Sequence, residues 1–98
     1  MTINKTLNGS DLVIALEGRL DTMTAPELEA EMNASLKSAD SLTMDFSKLD
    51  YISSAGLRVL LSAHKVMSAK GGMKVTNVNE VVQEVFEVTG FSDILDIE

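Results

Sequence analysis

The chain has 98 residues, 45% of them apolar, with a formal charge of −7 and no cysteine. That length fits one domain with one core, and the acidity argues against direct contact with a nucleic-acid backbone. Without cysteine and with a single histidine, no disulfide, metal or cofactor is expected; no run approaches the roughly 20 apolar residues of a membrane span or the pattern of a signal peptide, so a cytoplasmic protein is expected.

Thr2 to Leu7 and Leu12 to Leu16 read as two strands joined at Asn8-Gly9, a hairpin signal. The second run is apolar without interruption, which predicts a strand covered on both faces. Gly18-Arg19-Leu20-Asp21 is expected to leave the sheet. Thr24-Ala25-Pro26-Glu27 has the form of a capping box with proline in the first turn. Leu28, Met32 and Leu36 follow at i, i+4 and i+8 as the buried stripe of a first helix. Leu42 to Phe46 reads as a third strand and Lys48 to Ile52 as a short connection. A second helix then runs to about Ala69, with Arg58, Ser62, Lys65 and Ala69 on its solvent face and Gly71-Gly72 as its stop. Met73 to Thr76 is a fourth strand. Asn79 caps a third helix with Val82, Val85 and Phe86 inward, Thr89-Gly90 ends it, and Phe91 to Ile97 reads as a final helical turn. The order β-β-α-β-α-β-α, with that terminal turn, predicts an α/β domain: a mixed sheet of about four strands with helices packed on it.

The stretch from Asp50 to Leu61 carries the chemistry. Serine is a good N-cap, whereas glycine inside a helix costs roughly 1 kcal/mol relative to alanine. A helix that opens Ser53-Ser54-Ala55-Gly56 gives up local stability for a low, open surface. A hydrolase reading fails on distance: His64 lies ten residues along the same helix from Ser54, or ~15 Å along its axis, and G-x-S-x-G is absent. Gly71-Gly72 matches no phosphate-binding loop. Asp21, Asp45 and Asp50 fall at strand ends or loops, where carboxylates mostly form turns and caps, so no enzyme is expected. One serine is accounted for as an N-cap. Two in succession before Gly56 point to reversible phosphorylation, because a helix start tolerates a dianion that would cost several kcal/mol in an interface built for a hydroxyl.

Met44-Asp45-Phe46-Ser47-Lys48-Leu49-Asp50-Tyr51-Ile52-Ser53-Ser54-Ala55-Gly56-Leu57-Arg58-Val59-Leu60-Leu61 closely resembles the signature of the STAS domain of bacterial anti-sigma factor antagonists. Gly18-Arg19-Leu20-Asp21-Thr22 with Thr24-Ala25-Pro26-Glu27-Leu28 is similar to that family's second-strand and first-helix region, so the resemblance covers nearly all of residues 1–98. It implies a STAS-like fold and a regulator that binds an anti-sigma factor, commonly a serine-protein kinase, and so releases a sigma factor. Phosphorylation of a serine at the start of the second helix switches the regulator off, and a phosphatase restores it. Ser54 matches that serine. Ser53 is the runner-up, since the family often has aspartate there, and Ala55 stands where serine often follows. Asp21 matches an aspartate of the kinase-facing surface. Thr22, Met23, Ser53, Ser54, Ala55 and Gly56 complete the expected patch, with Met23 either an exposed anchor or buried under the first helix. A monomer is expected. The second reading is a STAS regulator or accessory subunit with a non-sigma target in chemotaxis, biofilm, stress signalling or a transport complex.

Overall fold

The N-terminal runs pair as an antiparallel hairpin in the computed structural model, which describes residues 1–98: β1 (Thr2–Asn8) lies against β2 (Asp11–Leu20), with Asn8 opposite Asp11. The turn is therefore Gly9-Ser10 and not Asn8-Gly9. Only Gly9 has a positive φ there, 67°, at the first central position, where type II′ turns need glycine.

From β2 the chain steps across the sheet in one direction. Helix α1 (Ala25–Ser35) leads to β3 (Ser41–Ile52), α2 (Ser54–Ser68) to β4 (Met73–Thr76), and α3 (Glu80–Thr89) to β5 (Asp96–Ile97). The strand order is β1-β2-β3-β4-β5, with every pairing after the first parallel. Right-handed crossovers that all step the same way place every helix on one face. The core forms there: Leu12, Ile14 and Leu16 of β2, Leu42, Met44 and Phe46 of β3, and Val75 of β4 are buried with Leu28, Leu60, Met67 and Phe86 of the helices. The alternate residues Val13, Ala15, Thr43 and Asp45 are half-buried. The unbroken apolar run of β2 thus reflects one covered face and two small residues on the other, not two covered faces.

Two expectations about the sheet are corrected. Gly18 to Leu20 stay in β2, and Lys48 to Ile52 are strand rather than connection. The register explains why. Ala15 faces Asp45 but Glu17 faces Lys48, and Gly18 faces Leu49 but Arg19 faces Tyr51, so β3 carries one extra residue at each of two bulges. Each bulge shifts the inward set by one, and the buried residues fall at Leu42, Met44, Phe46, then Leu49 and Ile52. At the C-terminus, Phe91–Asp93 form a single 3₁₀ turn, after which Asp96–Ile97 pair with β4 as a fifth strand in place of the expected helix.

The helix boundaries follow the sequence. Asn79 caps α3 through the Val82 N–H (2.8 Å), and Gly90 ends it at φ 82°. Gly72, at φ 93°, returns its N–H to the Met67 carbonyl (2.9 Å) beyond α2. Arg58, Ser62, Lys65 and Ala69 are exposed, as the helical spacing requires. No helix is long and apolar enough to cross a membrane.

Candidate functional site

Leu20 and Ile52 are register partners at the ends of β2 and β3, so the turns that follow leave the sheet side by side. The Ser53 N–H donates to the Leu20 carbonyl (2.9 Å) and ties the start of α2 to the end of β2.

The first turn is built on Asp21. Its Oδ1 accepts the N–H groups of Met23 (3.0 Å) and Thr24 (3.1 Å). The Thr24 hydroxyl donates to the Arg19 carbonyl (2.8 Å) and accepts the Asp21 N–H (2.9 Å). Thr24 therefore does not act in a capping box: its own backbone is already near-helical (φ −100°, ψ −20°), and its side chain caps nothing in α1. The Asp21 carboxyl lies below the usual carboxylate range. Desolvation raises it, but the N–H groups of Thr24 and Met23, the Thr24 hydroxyl and the Arg19 charge together pull it further down. Arg19 reaches Asp21 Oδ2 at 3.9 Å and stacks over Tyr51, 4.4 Å from the ring centroid. Thr22 is exposed, and Met23 is 84% exposed, which excludes its burial under α1.

The second turn separates the two serines. Ser53 is extended (φ −102°, ψ 175°), and its hydroxyl accepts the Gly56 N–H at a long 3.5 Å, the geometry of an N-cap. Ser54 is the first residue of α2 and exposed, and its hydroxyl bonds to no group of the chain. Ala55 is half-buried. Gly56 is buried, and this corrects its place in the contact patch: a Cβ there would lie 2.6 Å from Leu20 Cγ and 3.0 Å from Ile52 Cγ1. The glycine lets α2 settle on the ends of β2 and β3. It lies beneath the surface that Ser54 presents.

Thr22, Ala25 and Glu29 face Ala55, Arg58 and Ser62 across a shallow cleft of about 200 Å³ beside Ser54. Of the expected site residues, the structure brings together Asp21, Thr22, Met23, Ser53, Ser54 and Ala55 on adjoining turns. It adds Arg58, legible in the sequence only as a solvent-face residue four positions after Ser54.

The other chemistry-bearing side chains lie elsewhere. His64, on the same continuous helix as Ser54, lines a larger cleft of about 500 Å³ with Asp11, Ser41 and Lys74 at the opposite ends of the parallel strands. Its Nδ1 is buried without a partner. Asp45 accepts the Ser47 N–H and the Asn77 side-chain amide, each at 3.0 Å, and Asp50 is exposed on β3. Asp21 and Asp45 are thus turn and bulge formers. Neither is half of a carboxylate pair.

Against known proteins, the family model described as "Mlab, STAS domain" matches residues 3–96. The chain belongs to the STAS family. Among its STAS relatives, BtrV of Bordetella bronchiseptica, provisionally named an anti-sigma factor antagonist, is 39% identical over 88 residues, which span 88% of this chain and 76% of BtrV. The anti-sigma-B factor antagonist of Bacillus subtilis is 29% identical over 91 residues, 92% of this chain and 84% of that one. The solved structure of the anti-sigma factor antagonist SpoIIAA in its unphosphorylated form shares the STAS fold, with a TM-score of 0.84 at 19% identity over 99% of this chain and 88% of that one.

Proposed function

We propose that this STAS protein is an anti-sigma factor antagonist that binds an anti-sigma factor of the serine-protein kinase type while Ser54 is unmodified, and is released when that kinase phosphorylates Ser54. The observation that carries the reading is the division of labour at the start of α2: the Ser53 hydroxyl is spent on the cap, whereas the Ser54 hydroxyl is exposed and engaged by no group of the chain. Asp21, Thr22, Met23, Ser53, Ser54 and Ala55 form the docking patch, with Met23 as its apolar anchor. The names of the relatives support an anti-sigma factor as the target.

The switch is electrostatic. A phosphoserine carries about −1.5 to −2 charges, and desolvating it in a docked interface costs several kcal/mol. Each ~1.4 kcal/mol is tenfold in affinity. A phosphatase acting on the free protein would reset the patch.

Incubation with ATP and the candidate kinase, followed by mass spectrometric mapping, should place a single phosphate on Ser54. Phosphate confined to Ser53, or absent from both serines despite verified binding, would overturn the assignment. The Ser54→Asp variant should keep its fold and bind the kinase at least about a hundredfold more weakly.

A further inference from the structure

Arg58 stands four residues after Ser54 on α2, and both side chains are exposed. At that spacing two helical residues lie one above the other, with Cβ atoms about 5–6 Å apart. Side chains also lean toward the helix N-terminus, so the stem of Arg58 points back over the first turn. Its guanidinium is unclaimed. The ion pairs within 4.0 Å are Lys5–Glu31, Arg19–Asp21, Lys48–Glu17 and Lys74–Glu98. Glu29 lines the same cleft as Arg58 without pairing to it. On a chain of charge −7, an arginine left without a carboxylate beside the one unengaged serine hydroxyl at the start of α2 is a cation held in reserve.

We propose that Arg58 is the counter-ion of phosphorylated Ser54, a pairing made within the chain one helical turn away; it rests on the reading of Ser54 as the modified residue. A guanidinium presents paired N–H donors that match two phosphate oxygens, whereas a lysine would offer a single point charge. Modification therefore withdraws two features together, the Ser54 hydroxyl of the docking patch and the free cation of the adjoining cleft. It also softens the local cost of a dianion on an acidic domain, so the phosphorylated form stays folded while its contact surface changes.

The test uses the full chain with phosphoserine installed genetically at Ser54, and follows the second ionisation of the phosphate by phosphorus NMR. A phosphoserine ordinarily loses its second proton near pH 6. A cation within hydrogen-bond reach should lower that midpoint by about one unit. Arg58→Gln should return it upward by most of that amount, and Arg58→Lys should keep part of the displacement. Equal midpoints in the parent and Arg58→Gln would overturn the pairing. Arg58 makes no ion pair or hydrogen bond in the unmodified chain, so both variants should melt with the parent, and melting curves of the unmodified proteins check this. No kinase enters the experiment, so its outcome is read separately from the kinase assay: absence of kinase-borne phosphate on Ser54 fails the functional reading, and equal midpoints fail the pairing.

Discussion

At the scale of single residues, the start of α2 assigns different work to neighbours that look alike in the sequence. Ser53→Ala removes a cap whose bond is already long at 3.5 Å, so it should cost the low end of the capping range, ~0.5–1 kcal/mol, and still accept phosphate at Ser54. Ser54→Ala should leave the unfolding free energy from urea titration within the range of a surface substitution, roughly 0.5 kcal/mol, and abolish phosphorylation. The two variants cross, with one losing stability and the other the modification; a shared pattern would refute the division. Gly56 makes the sharper prediction. Leu20 and Ile52, the side chains a new Cβ would strike, are themselves fully buried, so neither can swing into solvent. Gly56→Ala should destabilise by about 1–3 kcal/mol, against the gain that alanine brings to an exposed helix. The sequence showed that this glycine is costly. It did not show the reason, because Leu20 lies 36 positions upstream and only strand pairing brings it underneath.

At the scale of elements, legibility tracks periodicity. The helices were readable because their caps and apolar stripes are local: Asn79 and Gly90 bracket α3, and Leu28 and Met32 line α1. Strand β3 is longer than its sequence pattern indicates, because two bulges turn its inward spacing from two to three after Phe46 and a period-two pattern ends where the first bulge begins. Its last residues, Lys48 to Ile52, which carry the chain to Ser53, therefore read in the sequence as a short connection. Thr24 shows a related limit: a threonine three residues before a glutamate fits the capping box, but its hydroxyl is taken by the Arg19 carbonyl and the Asp21 N–H and so caps nothing in α1. The loop after β4 offers a test at this scale. Asn77 is the sole non-glycine residue with positive φ, 58°, and its side-chain amide fastens the loop to Asp45 on β3. Asn77→Gly should relieve the backbone cost but lose the bond. Asn77→Ala should lose the bond and keep a left-handed backbone that costs an L-residue roughly 1–2 kcal/mol. The alanine variant should therefore melt below the glycine variant, and the reverse order would sink this account of the loop.

At the scale of the whole molecule, acidity and fold meet in the pH dependence of stability. Two carboxyls are held below the usual range. Asp45 is lowered first by the Asn77 amide and then by the Ser47 N–H, and Asp21 by the hydrogen bonds of its turn, which outweigh desolvation. A carboxyl whose folded value is depressed contributes stability that is complete above its unfolded value, about 3.9, and is lost as pH falls through the folded value. The general charge acts in the opposite sense at first. With a formal −7 at neutral pH, mild acid relieves self-repulsion before the hydrogen-bonded carboxylates of Asp21 and Asp45 protonate. Stability should accordingly change little or rise slightly from neutral pH to about 5, then fall steeply below about 4. Asp45→Asn separates the two effects, because it keeps the side chain's size and removes its titration. Relative to this variant the parent should be more stable at neutral pH, and that advantage should shrink as pH drops below about 4. Urea unfolding of both proteins across that range measures it directly. A constant difference would mean that the Asn77 and Ser47 bonds do not hold the Asp45 proton off, and that acid unfolding begins elsewhere in the sheet.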